Sequence, residues 1–235
     1  MAQTIIVTGG SRGIGKAILM HFASKGFHVG FCSLQPAHVE SLQKELEVLF
    51  PQQTIFGRAV DMRKREEVVA FGKEVINKFK EIDILVNNAG TFLPGMVLEE
   101  PEGQLEKLIE TNLYSAYYMS RAIAPILIRS GKGHIFNICS VAGLKAYPNG
   151  GSYSISKFAM QGLSKALREE LKDKKVRVTT VYPGAVLTDS WSGVDLPEDR
   201  FIAAADVAKN IFDVHALSDR TVIEDIVLRP QLGDI

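Results

Sequence analysis

Residues Thr4-Ile5-Ile6-Val7-Thr8-Gly9-Gly10-Ser11-Arg12-Gly13-Ile14-Gly15 decide how this chain folds. An apolar, β-branched run leads into a glycine-rich turn, and an amphipathic helical pattern over 14–24 follows it. Strand, turn and helix in that order aim backbone amides and the positive end of a helix dipole at one point, a ready site for a pyrophosphate. Gly9 permits the sharp turn, Gly13 lets backbone amides approach the anion, and Gly15 lets the helix pack closely against the sheet. The spacing Gly-x-x-x-Gly-x-Gly departs from the Gly-x-Gly-x-x-Gly fingerprint, which therefore does not apply.

Outward from this turn, strand-like and helix-like stretches alternate to the end of the chain. Strands are predicted at 4–7, 29–32, 54–59, 82–86, 134–138, 176–182 and 221–228. Helices are predicted at 14–24, 37–49, 65–79, 104–129, 153–171 and 205–216. Strands alternating with helices of this length indicate parallel βαβ units with right-handed crossovers. The expected fold is α/β: a doubly wound, Rossmann-like, seven-stranded parallel sheet with helices on both faces. No linker, repeat or low-complexity tract interrupts it, so residues 1–235 read as a single domain.

Composition excludes several classes. With 27 basic and 27 acidic residues the formal net charge is zero, which argues against a nucleic-acid partner. The cluster Lys172, Lys174 and Lys175 is broken by Asp173 and reads as the solvated end of a helix. Cys32 and Cys139 form no disulfide framework and read as buried thiols. His21, His28, His38, His134 and His215 show no metal-ligand spacing and read as surface or strand-edge residues, so no metal is expected. No apolar run approaches the ~20 residues of a membrane span, and the first strand starts too early to leave room for a signal peptide. A cytoplasmic protein is expected.

Ligands of such sheets bind at the carboxyl ends of the strands, near the topological switch point. Ser11 to Ile14, Ser33, Asp61, the stretch Asn87 to Gly90, Ser140, and the stretch Pro183 to Thr188 each follow a predicted strand. All should therefore emerge at one edge. Tyr153 and Lys157 stand one helical turn apart just beyond Ser140.

The glycine turn, Asn87-Asn88-Ala89-Gly90, Asn112, Ser140, Tyr153-x-x-x-Lys157 and Pro183-Gly184 resemble, in order and spacing, the short-chain dehydrogenase/reductase family. The similarity spans essentially the whole chain. It implies NAD(P)-dependent interconversion of a carbonyl and an alcohol, with Asn112, Ser140, Tyr153 and Lys157 as the catalytic set. It further implies that Asn112 sits at an irregularity in its helix and relays water toward Lys157. Asp61 and Met62 resemble the adenine-contacting segment, Asn88, Ala89 and Gly90 the ribose wall, and Pro183, Gly184, Val186 and Thr188 the nicotinamide wall.

Elementary chemistry gives the catalytic set its roles. Carbonyl reduction needs a proton for the developing alkoxide, and Tyr153 can donate it or, as phenolate, take it back. Bringing a phenol of pKa ~10 down by about three units takes roughly 4 kcal/mol. One ammonium at about 4 Å, in an effective dielectric near 20, supplies that amount, and Lys157 is the expected source. Ser140 would hold the carbonyl oxygen beside Tyr153.

An acid at the end of strand 2 would favour NAD; Ser33 stands there instead, and Arg12 can face a 2′-phosphate. NADP (NADPH) is the expected cofactor, with NAD the alternative. The substrate is expected to be a small carbonyl or alcohol, free or carrier-bound. Trp191, Leu196 and Phe201 of a short lid over 189–205, with Phe92, Leu93, Leu144 and Tyr147, are candidate walls. Arg121, Arg129, Arg168 and Lys172 are the residues available to an acidic carrier. A carbonyl or 3-oxoacyl-type reductase is expected; an NAD-dependent 3-hydroxy acid or polyol dehydrogenase and a non-catalytic NADP sensor are the alternatives. Apolar side chains on more than one face of the helices near 104–129 (Tyr114, Tyr117, Tyr118, Met119) and 153–171 (Phe158, Met160, Leu163) predict a homodimer at least, with a homotetramer the alternative.

Overall fold

The computed structural model describes residues 2–191 and 193–235. Seven strands form one sheet in the order β3-β2-β1-β4-β5-β6-β7. They are β1 (Thr4–Thr8), β2 (His28–Ser33), β3 (Ile55–Ala59), β4 (Ile84–Asn87), β5 (His134–Ile138), β6 (Arg177–Pro183) and β7 (Asp225–Leu228). Every strand pairing is parallel. The order reverses between β1 and β4, so the crevice beyond their carboxyl ends is the switch point.

Alternation along β1 explains the two-sided core. Ile5 and Val7 face a layer with Ile18, Leu19 and Phe22 of α1 (Gly13–Ser24), Leu42 and Leu46 of α2 (Pro36–Leu49), and Ile211 of α7 (Ala204–His215). Ile6 faces the opposite layer, with Val68, Phe71 and Val75 of α3 (Arg65–Phe79) and, beyond α4 (Gln104–Ile109), Met119 and Ile123 of α5 (Ser115–Ser130). Helix α6 (Gly151–Leu171) packs Met160 beside Ala116, Cys139 and Tyr182.

The predicted helix over 104–129 is interrupted by a π-helical turn at Glu110–Tyr114, centred on Asn112, where the family resemblance implies an irregularity. Three other features depart from the sequence expectations. Strand β7 spans only Asp225–Leu228; before it, the chain is fastened by Thr180 N–H to Glu224 O at 2.8 Å and Thr179 Oγ1 to Ile223 O at 2.6 Å. His134 and His215 are not surface residues. His134 is buried, stacked on Phe136 at 3.9 Å with Nε2 2.8 Å from Thr179 Oγ1, and His215 is buried beside Gln3. Met119 and Met160 are core residues, so the outward apolar face of α5 and α6 is Tyr114, Tyr117, Ile155 and Phe158.

Both thiols are buried and free: Cys32 donates to Met62 Sδ at 3.5 Å and Cys139 to Lys157 O at 3.2 Å. No helix among the described residues is long and apolar enough to cross a membrane. Among those residues no three His, Cys, Asp or Glu side chains are grouped to hold a metal ion.

Candidate active site

The glycine turn meets the start of α1 at the switch point. Gly9 and Gly13 take positive φ, 65° and 53°, where only glycine is unstrained. A Cβ on Gly15 would lie 2.3 Å from Gly9 O, so this glycine closes the turn on itself rather than merely easing helix against sheet. Gly10 is equally constrained: its Cβ would meet Leu19 and Phe31 at 2.7 and 2.9 Å. Asn88 Nδ2 donates to Thr8 O at 3.0 Å and Gly9 O at 2.9 Å, and Asn88 N–H and Ala89 N–H both reach Thr8 Oγ1 at 3.0 Å. The segment just after β4 thereby fixes the turn after β1. Ile14 packs against the core, leaving its backbone in the turn.

At the β2 end, Ser11 and Ser33 share a hydrogen bond at 2.6 Å. Arg12 is exposed and pairs with Asp189 at 3.2 Å. Asp61 is held by the Arg63 guanidinium at 2.6 and 2.9 Å, which keeps its carboxyl below the usual range. Met62 is a core residue against Cys32, so its side chain is not a lining group.

The four residues expected to be catalytic gather beyond β5, on the π turn and on α6. Asn112 is fully buried; its Nδ2 donates to Thr91 O at 3.0 Å and Ser156 Oγ at 2.9 Å, and its Oδ1 accepts Thr91 N–H at 2.7 Å. Ser156 donates to Tyr153 O at 2.7 Å, so the π turn is tied to the helix between Tyr153 and Lys157. Ser140 lies two residues beyond β5, at the start of a 3-10 turn over Val141–Gly143, and accepts Ala142 N–H at 3.2 Å. Phe92 lies edge-on to Tyr153, with ring centres 4.9 Å apart.

The Tyr–Lys electrostatics differ from expectation. Lys157 Nζ donates to Ile138 O at 3.1 Å and stands 5.7 Å from the Tyr153 ring centre. Burial pushes the Tyr153 phenol up to about 12, against a downward pull from the Ser140 hydroxyl. Burial also lowers the Lys157 ammonium. Desolvation disfavours both charged forms, and the ammonium spends its hydrogen bond on a carbonyl instead of the phenol.

Pro183 ends β6, and Gly184 N–H returns to Leu228 O at 2.8 Å. Val186 is buried and bridges Ile202. Thr188 sits against Gly13, whose Cβ would lie 3.1 Å from Thr188 Cγ2. The segment 189–205, the expected lid, contains two short 3-10 turns, Asp189–Trp191 and Glu198–Arg200, and sets Trp191 edge-on to Phe201 with ring centres 5.3 Å apart; Ser192 within it lies outside the described residues. Phe92, Leu144, Tyr147 and Leu196 are exposed apolar groups, and Leu93 is half-buried.

Of the four cations considered for a carrier, Arg129, Arg168 and Lys172 belong to the last turns of α5 and α6 or the residue just beyond. Those ends lie at the opposite edge of the sheet from Tyr153. Arg168 pairs with Glu224 at 2.9 Å, Lys172 pairs with Glu169, and Arg121 donates to Tyr117 Oη at 3.1 Å.

Sequence patterns gave no sign of Glu100, which accepts from both Ser152 N–H and Ser152 Oγ across 52 residues. Distance along the chain hides such a partner; the glycines Gly150 and Gly151 at the helix start were the only local hint.

The short chain dehydrogenase family model matches residues 3–198. This chain belongs to the short-chain dehydrogenase family. The sepiapterin reductase of Chlorobaculum tepidum is 31% identical over 243 residues, covering 100% of this chain and 99% of the relative. A 3-oxoacyl (acyl-carrier-protein) reductase of Chlamydia trachomatis is 34% identical over 187 residues, 80% of this chain and 75% of the relative. The alcohol dehydrogenase of the archaeon Thermococcus sibiricus, solved with 5-hydroxy-NADP, superposes with a TM-score of 0.93 at 26% identity, covering 100% of this chain and 99% of that one. As a short-chain dehydrogenase, the protein is an oxidoreductase acting between CH–OH and carbonyl groups.

Proposed function

We propose that this short-chain dehydrogenase is an NADPH-dependent reductase of small, free, largely apolar carbonyl compounds. The observation that carries it is the convergence of Asn112, Ser140, Tyr153 and Lys157 beside a glycine cradle at the switch point.

The residues present fit a dinucleotide. Positive φ at Gly9 and Gly13 leaves backbone amides free of Cβ shielding, and a Cβ on Gly90 would intrude to 3.2 Å from Asn112 Oδ1 and 3.6 Å from Lys157 Nζ. Gly9, Ser11, Gly13, Ile14 and Gly15 would hold the pyrophosphate through backbone and hydroxyl groups. Asn88, Ala89, Gly90 and Lys157 would hold ribose, Asp61 and the Met62 backbone the adenine side, and Pro183, Gly184, Val186 and Thr188 the nicotinamide side. When bound, the cofactor supplies the hydride.

The rest is this chain's own work. Ser140 holds the carbonyl oxygen and Tyr153 gives it a proton. Asn112 anchors the helix between Tyr153 and Lys157 through Ser156. Lys157 links ribose and the proton path. The neutral phenol that burial enforces is the form a proton donor needs.

NADPH is favoured over NADH because the β2 end carries Ser33 without an acid and Arg12 stands exposed beside it, and the archaeal relative was solved with an NADP derivative. Apolar walls at Phe92, Leu144, Tyr147 and Leu196, and the placement of Arg129, Arg168 and Lys172 at the far edge, support a free substrate over a carrier-bound one. The exposed face of Tyr114, Tyr117, Ile155 and Phe158 supports a homodimer built on α5 and α6. A screen of ketones and aldehydes with NADPH consumption as readout tests the proposal: turnover of apolar carbonyls is expected, and activity confined to carrier-bound acyl groups would overturn the substrate class.

A further inference from the structure

We infer that Glu100 is a positioning residue for Tyr153, capping the helix that carries it from the loop that forms the substrate wall. The inference rests on Tyr153 being the proton donor. Helix α6 begins at Gly151 with neither a side-chain cap of its own nor an acid in its first turn. Its first amides therefore lack intrahelical partners, and the positive end of its dipole is uncompensated from within. Glu100 supplies both from outside. One carboxylate oxygen accepts Ser152 N–H at 3.3 Å and Gln104 Nε2–H at 2.9 Å; the other accepts the Ser152 hydroxyl. Ser152 is buried, and Tyr153 is the next residue.

The local sequence makes room for this contact. A Cβ on Gly151 would lie 2.4 Å from Gly95 O and 2.8 Å from Glu100 Oε2. A Cβ on Gly95 would lie 3.0 Å from both the Cβ and a carboxylate oxygen of Glu100. Gly95 N–H also reaches Asn149 O at 3.0 Å, and Gly95 bridges Gly150. The same loop carries Phe92, packed edge-on to the Tyr153 ring. One segment thus grips the helix start at two points and touches the reacting ring at a third. Without Glu100 the first turn frays, and Tyr153 moves with it. Lys157, a turn further on, keeps its own bond to Ile138 O, so the cofactor side is spared.

The test compares Glu100→Ala, Glu100→Gln, Ser152→Ala and the Glu100→Ala/Ser152→Ala double variant by steady-state kinetics and NADPH titration. Glu100→Ala should lower kcat about tenfold to a hundredfold, the scale of a small misplacement of a reacting group, with NADPH affinity unchanged. Glu100→Gln keeps an acceptor oxygen and should recover most of the loss. The double variant should be no worse than Glu100→Ala alone, because both changes remove one interaction. Native kcat in Glu100→Ala, a matching loss of NADPH affinity, or additive effects in the double variant would overturn the inference. Should Glu100→Ala not fold, Ser152→Ala decides: a lowered kcat with NADPH binding retained supports the cap, and native kcat overturns it. Tyr153→Phe is assayed alongside; full turnover there would refute the proton-donor assignment itself, a failure separate from that of the Glu100 contact.

Discussion

Lys157 Nζ donates to the carbonyl of Ile138 at 3.1 Å and lies 5.7 Å from the Tyr153 ring centre, so the ammonium is engaged with β5 while the phenol is pushed up to about 12. The proton-bearing form needed for reduction persists through neutral pH. Reduction should therefore show kcat/KM level across the neutral range, whereas alcohol oxidation, which needs the phenolate, should climb with every step in pH. An inflection near neutrality in the oxidation profile would show that Lys157 turns toward the phenol in the working enzyme.

Tyr153→Phe should abolish turnover and leave NADPH binding largely intact, since the proton is lost while backbone and ribose contacts remain. Lys157→Ala should impair both, because it removes a buried group that the proposal assigns to the ribose and the proton path together. Stopped-flow turnover and fluorescence titration on the two variants measure the difference. Near-native reduction by Tyr153→Phe would remove that residue from its role.

Arg12 meets Asp189 in an exposed pair at 3.2 Å, a contact too screened to hold it firmly. NADPH should bind more tightly than NADH, and Arg12→Ala should cost NADPH roughly ten- to a hundredfold while barely touching NADH, the scale of one charge-assisted hydrogen bond. Asp189→Asn should widen the preference by freeing the guanidinium. Equal affinities for the two cofactors in the native protein would defeat the assignment.

Burial pushes His215 down to about 4, and it lowers His134 well below its ordinary 6.5, with Arg177 adding to the effect at both. Both rings are neutral in the folded protein, so the unfolded chain takes up protons first as pH falls below about 6.5. Stability should be full above that point, decline toward pH 4 and then level for His215, whose share is about 3 kcal/mol. His215→Gln should flatten this acid limb in urea melts taken at several pH values; an unchanged slope would contradict the assignment.

Tyr114 at the end of the π turn, Tyr117 on α5, and Ile155 and Phe158 on α6 are exposed apolar residues. Light scattering should report a dimer, and Phe158→Glu should shift it toward the 25.8 kDa monomer. A native monomer at micromolar concentration would refute the α5–α6 dimer.

The sequence by itself determined what is local. A glycine turn after a β-branched run needs φ values that only glycine adopts freely, and alternating strand and helix periods admit few topologies other than a parallel doubly wound sheet. The set Asn112, Ser140, Tyr153 and Lys157 was legible through the order and spacing of the motifs that resemble the family, and the ends of parallel strands share an edge, which places Ser140 beside the glycine turn. Tertiary structure decided which partners those side chains meet. Lys157 bonds Ile138 O because packing of α6 on β5 brings that carbonyl within reach, and no spacing rule encodes it. Glu100 caps α6 from 52 residues away. His134 and His215 are buried because the first residue of β5 and the last of α7 close over one another, their rings 5.7 Å apart. Periodicity marks Met119, Met160, Tyr117 and Phe158 alike as apolar; only the packed sheet separates the two methionines inside from the two aromatic rings outside. Backbone preference acts over a few residues and can be read from them, whereas a side chain's partner, and with it its charge state, is fixed by contacts that exist only once distant segments have packed.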